Sequence, residues 1–124
     1  MNIKALALLL PVALLAPPAL AHHTHAMFDF DKRVERVGTV KAFKWTNPHS
    51  WLHVLAADEK GAMIEYTLEL GAPAALVSRG WKPTTVATGD KVTVRFFPTR
   101  DGGPGGSLMT IVLPDGKTLG QNYE

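Results

Sequence analysis

Three of the chain's five histidines fall within four residues, at His22, His23 and His25, with Met27 two places further on. Imidazole is a ligand for copper and zinc, and a thioether favours reduced copper. The cluster becomes more than a composition bias if His22 is the first residue of a processed chain. An N-terminal histidine offers its α-amine and its own ring nitrogen to one ion. That amine loses its proton near pKa 7.7–8.0, against about 10.4 for a lysine. Thr24 stands where the best-known amino-terminal copper motif places a histidine. The reading is therefore amine coordination together with His22 or His23, with His25 and Met27 close by. A histidine-rich solvated tail that binds metals weakly is the plainer alternative.

Processing at that point is what the preceding residues suggest. Met1 to Ala21 carry one lysine, Lys4, then an Ala/Leu/Val run broken by Pro11 and ending Ala19-Leu20-Ala21. Ala5 to Ala16 is shorter than the roughly 20 apolar residues needed to span a bilayer. Its length and small-residue ending fit a secretory signal peptide cut after Ala21. The expectation is a periplasmic protein with no stable membrane insertion after cleavage. Losing Lys4 also brings its 13 basic and 11 acidic residues closer to balance. Near-neutral charge and export both oppose a nucleic-acid role. The absence of cysteine removes disulfides, thiolate metal sites and cysteine nucleophiles.

A second group with chemical potential surrounds Asn47-Pro48-His49. Trp45 and Trp51 flank this turn, and His49 is a further candidate metal ligand for the N-terminal cluster. His49 and His53 share a strand face but stand about 13 Å apart at 3.3 Å per residue, so one ion cannot take both. His53 reads better as a half-buried histidine with its own partner. Alternatively Trp45, Asn47, His49 and Trp51, with Arg100 from a later loop, hold a small ligand or a periplasmic protein partner. Arg100-Asp101-Gly102-Gly103-Pro104-Gly105-Gly106 lacks the Gly-Lys-Ser/Thr ending and the helix of a phosphate loop, and reads as a flexible connection. Glu65 and Glu69 are also about 13 Å apart on one strand face, too far for a paired-carboxylate hydrolase. Ser50 and Ser78 lack a defensible triad. No enzyme signature emerges.

The elements that must position these groups are strands. With 46% apolar and 19% charged residues, the chain is long enough for one domain. Residues 33–45 read as a long bent strand built on Val34, Val37, Val40 and Phe43, with Gly38 as a bulge glycine. Ser50 to Ala57 and Ala62 to Leu70 alternate with period two. A short helix follows Pro73 and stops at Gly80, with Trp81 behind it as a core residue. Lys91 to Phe97 is a fourth strand, 99–107 a glycine-rich loop, and Leu108 to Leu113 a fifth strand. Residues beyond Leu119 read as frayed. The order β-β-β-α-β-β predicts an all-β fold, a small five-stranded OB-like barrel with one short helix between strands 3 and 4. The predicted domains are a signal peptide over 1–21, a His-rich segment over 22–32, the barrel over 33–119 and a tail over 120–124.

Several motifs occur together: His22-His23 with Ala26-Met27-Phe28-Asp29, Gly38-Thr39-Val40, and Trp45-Thr46-Asn47-Pro48-His49 with Trp51. Arg79-Gly80-Trp81, Gly89-Asp90-Lys91-Val92, Arg100-Asp101-Gly102 with Gly105-Gly106, and Leu113-Pro114-Asp115-Gly116 complete the set. In this combination the chain resembles a family of small secreted bacterial proteins catalogued as a domain of unknown function. The resemblance implies export and a single small β-domain, and it transfers no catalytic residue.

Overall fold

The computed structural model describes residues 27–121. The expected signal peptide and His22, His23 and His25 lie outside them. Among the described residues, no helix is long and apolar enough to cross a membrane.

Among the described residues, six strands and one helix run in the order β1 (Val34–Lys44), β2 (Ser50–Ala57), β3 (Met63–Leu70), α1 (Pro73–Val77), β4 (Lys91–Pro98), β5 (Gly105–Val112) and β6 (Thr118–Gly120). The first five strands close into the expected OB-like barrel. β2 and β3 form its clearest hairpin, in register from Ser50↔Leu70 to Ala57↔Met63. Strict alternation buries Ser50, Leu52, Val54 and Ala56 from β2, and Tyr66, Leu68 and Leu70 from β3. These side chains face Val92, Val94 and Phe96 of β4 and Leu108 and Ile111 of β5 in one core cluster.

β1 joins the two halves by pairing with β2 through its later residues and with β4 through its earlier ones. Its bulge lies between Val40 and Ala42, not at Gly38 as the sequence suggests. Gly38 has a different reason: a Cβ there would sit 2.3 Å from the Leu55 carbonyl oxygen. The pattern Val34, Val37, Val40, Phe43 is also not the buried one. Val37 is 70% exposed, because period two before the bulge turns Val34, Arg36, Gly38 and Val40 to the inside.

Closure comes from a parallel pairing of β3 with β5, Thr67↔Gly105 to Glu69↔Ser107. β5 therefore begins three residues before the predicted start, inside the stretch that reads as loop. A Cβ at Gly105 would meet the Thr67 carbonyl oxygen at 2.3 Å, and one at Gly106 the Phe97 carbonyl oxygen at 2.0 Å. The glycines let β5 approach both neighbours.

One barrel end is plugged by α1, whose Leu76 is fully buried, and by Trp81. Pro73 occupies the helix start, where its missing N–H costs nothing. Gly80 turns the chain back at φ +88°, and the Trp81 N–H returns to the Leu76 carbonyl at 3.1 Å. The two described residues beyond Leu119 are not frayed: Gly120 pairs with Thr110, and Gln121 is buried.

Candidate functional site

The antiparallel and parallel ladders sort the loops onto two ends. One end carries the β1–β2 turn, α1 and the start of β4. The other carries the start of β1, the β2–β3 turn and the β4–β5 loop.

At the first end, residues 45–49 form the turn, with a cis Asn47–Pro48 bond. The Thr46 hydroxyl donates to the His49 carbonyl at 2.7 Å. Trp45 packs edge-on against Phe43, centroids 5.9 Å apart, and belongs to the margin of the core. Trp51 instead points outward from β2, half-buried, where the register sets it opposite Glu69. His49 Nδ1 lies 3.1 Å from Glu69 Oε1 and 3.3 Å from the Leu70 carbonyl oxygen. Burial pushes the Glu69 carboxyl above its usual range, and the nearby His49 opposes that rise without cancelling it.

Sequence reasoning weighed Glu69 only with Glu65 as a carboxylate pair and missed its place beside His49. A charged residue alternating with core positions reads as solvated, but β3 is flanked on both sides here. Trp51 on β2 and Ser107 on β5 stand at its own register level. Further along the same outer face, His53 Nδ1 is 3.4 Å from the Thr67 hydroxyl and 3.9 Å from Glu65 Oε1. Lys41 reaches the same Glu65 oxygen at 3.2 Å. His53 thus has partners of its own, as expected. The outer β2–β3 face presents two imidazole–carboxylate pairs with Trp51 between them.

The second end holds Met27 and Arg100. The Arg100 N–H donates to the Met27 carbonyl at 2.8 Å, and the Asp29 N–H to the Pro98 carbonyl at 2.8 Å. Phe28 bridges to Thr99 and is buried beside the 53%-exposed Met27. Arg100 therefore does not join Trp45, Asn47, His49 and Trp51, and Met27 does not join His49. The β4–β5 loop is no anion cradle either, since its amides are spent internally. Gly102 N–H donates to Thr99, Gly105 N–H to Gly103, and Gly103 N–H to the Asp101 carboxylate, a bond that holds Asp101 below the usual carboxylate range.

A cleft of about 500 Å³ opens between this loop and the β2–β3 turn, at the mouth of the barrel. Arg36 faces into it from an inward strand position. Its Nε donates to the Tyr66 hydroxyl at 2.9 Å, and its guanidinium lies 5.5 Å from the Tyr66 ring centroid. Among the described residues, no group of three or more His, Asp or Glu could hold a metal ion.

Fold and site together define a small closed β-barrel with an imidazole- and carboxylate-bearing outer face and an arginine-lined mouth. The chain belongs to a family of unknown function, DUF6152, whose model matches residues 9–108. Comparison with curated proteins and with solved structures gives no match.

Proposed function

We propose that this chain is a non-catalytic periplasmic carrier that binds copper through a processed N-terminus, using His22, His23, His25 and Met27. The observation that supports this is the fixed root of the segment. Met27, Phe28 and Asp29 are all bonded to the end of β4, so His25 stands two residues from anchored backbone. Anchoring lowers the ordering cost that a free tail would meet on closing round an ion. The exposed thioether of Met27 adds a soft donor to the imidazoles and the amine. His49 is left out of the proposed set, because it lies at the other barrel end and is engaged with Glu69.

The test begins with mass spectrometry of the exported protein's N-terminus. Copper titration of that same material should give one tight equivalent. One additional residue before His22 should weaken binding at least tenfold, since it removes the α-amine. Equal affinity with and without that residue would eliminate the amine from the site. An exported chain starting elsewhere than His22 would defeat the proposal.

A second reading is supported by Trp51, which is held outward between His49–Glu69 and His53–Glu65. On this reading the outer β2–β3 face binds a small ligand or a protein partner. Binding there should survive deletion of residues 22–27 and fall when Trp51 is replaced by Ala.

A further inference from the structure

We propose that the mouth of the barrel binds a small organic acid, its carboxylate paired with Arg36 and its apolar body against Val34, Ile64 and Pro98. This site is separate from the copper reading and does not depend on it. Arg36 is a cation at an inward strand position, opposite buried Val94, with its side chain only 18% exposed. The stem is covered while the terminal nitrogens reach the open cleft, and a partly desolvated guanidinium favours an anionic partner. The one it has is weak: Glu59 Oε1 at 3.5 Å, on a side chain 85% exposed.

The donors of Arg36 are also incompletely used. Nε donates to Tyr66, Nη1 to the Glu35 carbonyl and Nη2 to Glu59. A guanidinium has five N–H groups, so one remains on each terminal nitrogen. That pair suits a planar carboxylate, which guanidinium binds through two parallel hydrogen bonds. The other acids round the cleft do not compete for it. Asp58 accepts the Lys60 and Ala62 amides of its own turn, and Glu65 is held by Lys41.

The walls specify the rest of the ligand. Val34, Ile64 and Pro98, all half-buried, give the cleft its apolar side chains, and Gly103 to Gly105 also line it. Beneath those side chains the buried Tyr66 and Phe96 rings sit 5.6 Å apart and tilted, a fixed floor that leaves the hydrocarbon body to the half-buried rim. A mouth of about 500 Å³ accommodates one small molecule rather than a folded partner.

The probe is 1-naphthoate, titrated into the purified protein and followed by amide NMR, with 1-naphthylmethylamine as its cationic counterpart. Naphthoate should bind saturably, shifting the amides of Gly103, Gly105 and Tyr66, while the amine should not. Arg36→Gln should weaken naphthoate at least tenfold. Glu59→Gln, an exposed change that leaves the core untouched, should tighten it a few-fold by removing the competing carboxylate. The proposal is overturned if naphthoate leaves the mouth amides unmoved, if the amine binds there equally well, or if Glu59→Gln fails to tighten binding.

Discussion

Glu69 concentrates the opposing forces of this fold in one side chain. Its carboxylate has a histidine 3.1 Å away, yet burial raises its proton affinity by more than His49 lowers it. A group whose folded pKa exceeds its unfolded value binds its proton more tightly when folded. Its contribution to stability is complete below the ordinary glutamate pKa and lost as pH rises through the raised value. Ionising Glu69 above that range therefore works against the fold. Glu69→Gln keeps the shape and an acceptor for His49 but removes the charge. It should stabilise the protein at pH 7 by up to about 1 kcal/mol, a typical size for a single substitution. The gain should vanish by pH 4. Urea midpoints at the two pH values decide it: a loss at pH 7 would show that pairing with His49 outweighs desolvation.

At the scale of elements, legibility followed regularity. β2 and β3 are readable because each keeps period two throughout, with Leu52 and Val54 or Tyr66 and Leu68 on one face. β1 is harder because Arg36 occupies an inward position and Val37 an outward one, reversing what their polarity suggests. The same reversal hid the mouth of the barrel, since a charged strand residue is ordinarily assigned to solvent. The β1–β2 turn was visible from Asn47-Pro48, and Trp81 from its place after the helix stop. The start of β5 was invisible because glycine reads as loop, whereas here it is the condition for closure. That condition can be measured. Gly106→Ala would force a Cβ against the Phe97 carbonyl and the Phe96 ring, both fixed by the ladder. Overpacking of this kind costs about 1–3 kcal/mol or more. Gly61→Ala, with open space but φ +82°, should cost only about 1 kcal/mol. Denaturant unfolding of the two variants should rank them in that order. Equal losses would mean that β5 can shift without cost and that the β3–β5 seam is not tightly closed.

For the molecule as a whole, the barrel separates its chemistry by end. The Met27 root and the Arg36 mouth share the end formed by the β4–β5 loop, while His49, α1 and Trp81 share the other. What locks the α1 end is the chain's last described stretch, which the sequence makes look dispensable. The Trp81 indole N–H donates to the Gly120 carbonyl at 3.1 Å. Gln121 accepts from the Gly71 N–H at 2.5 Å and donates to the Leu108 carbonyl at 3.0 Å. These contacts tie α1's approach, the plug and β5 together across long sequence separations. A chain ending at Leu119 would leave these three groups without those partners, and the Met109 and Glu69 carbonyls without the Gln121 donors they also accept from. At about 1 kcal/mol per hydrogen bond, the loss should be at least about 3 kcal/mol, a large share of the 5–15 kcal/mol typical of a domain. A chain ending at Gln121 retains all three bonds and should unfold close to the full-length midpoint. Thermal or urea unfolding of the two shortened chains separates the cases. If both match the full-length protein, the plug holds without its C-terminal strand.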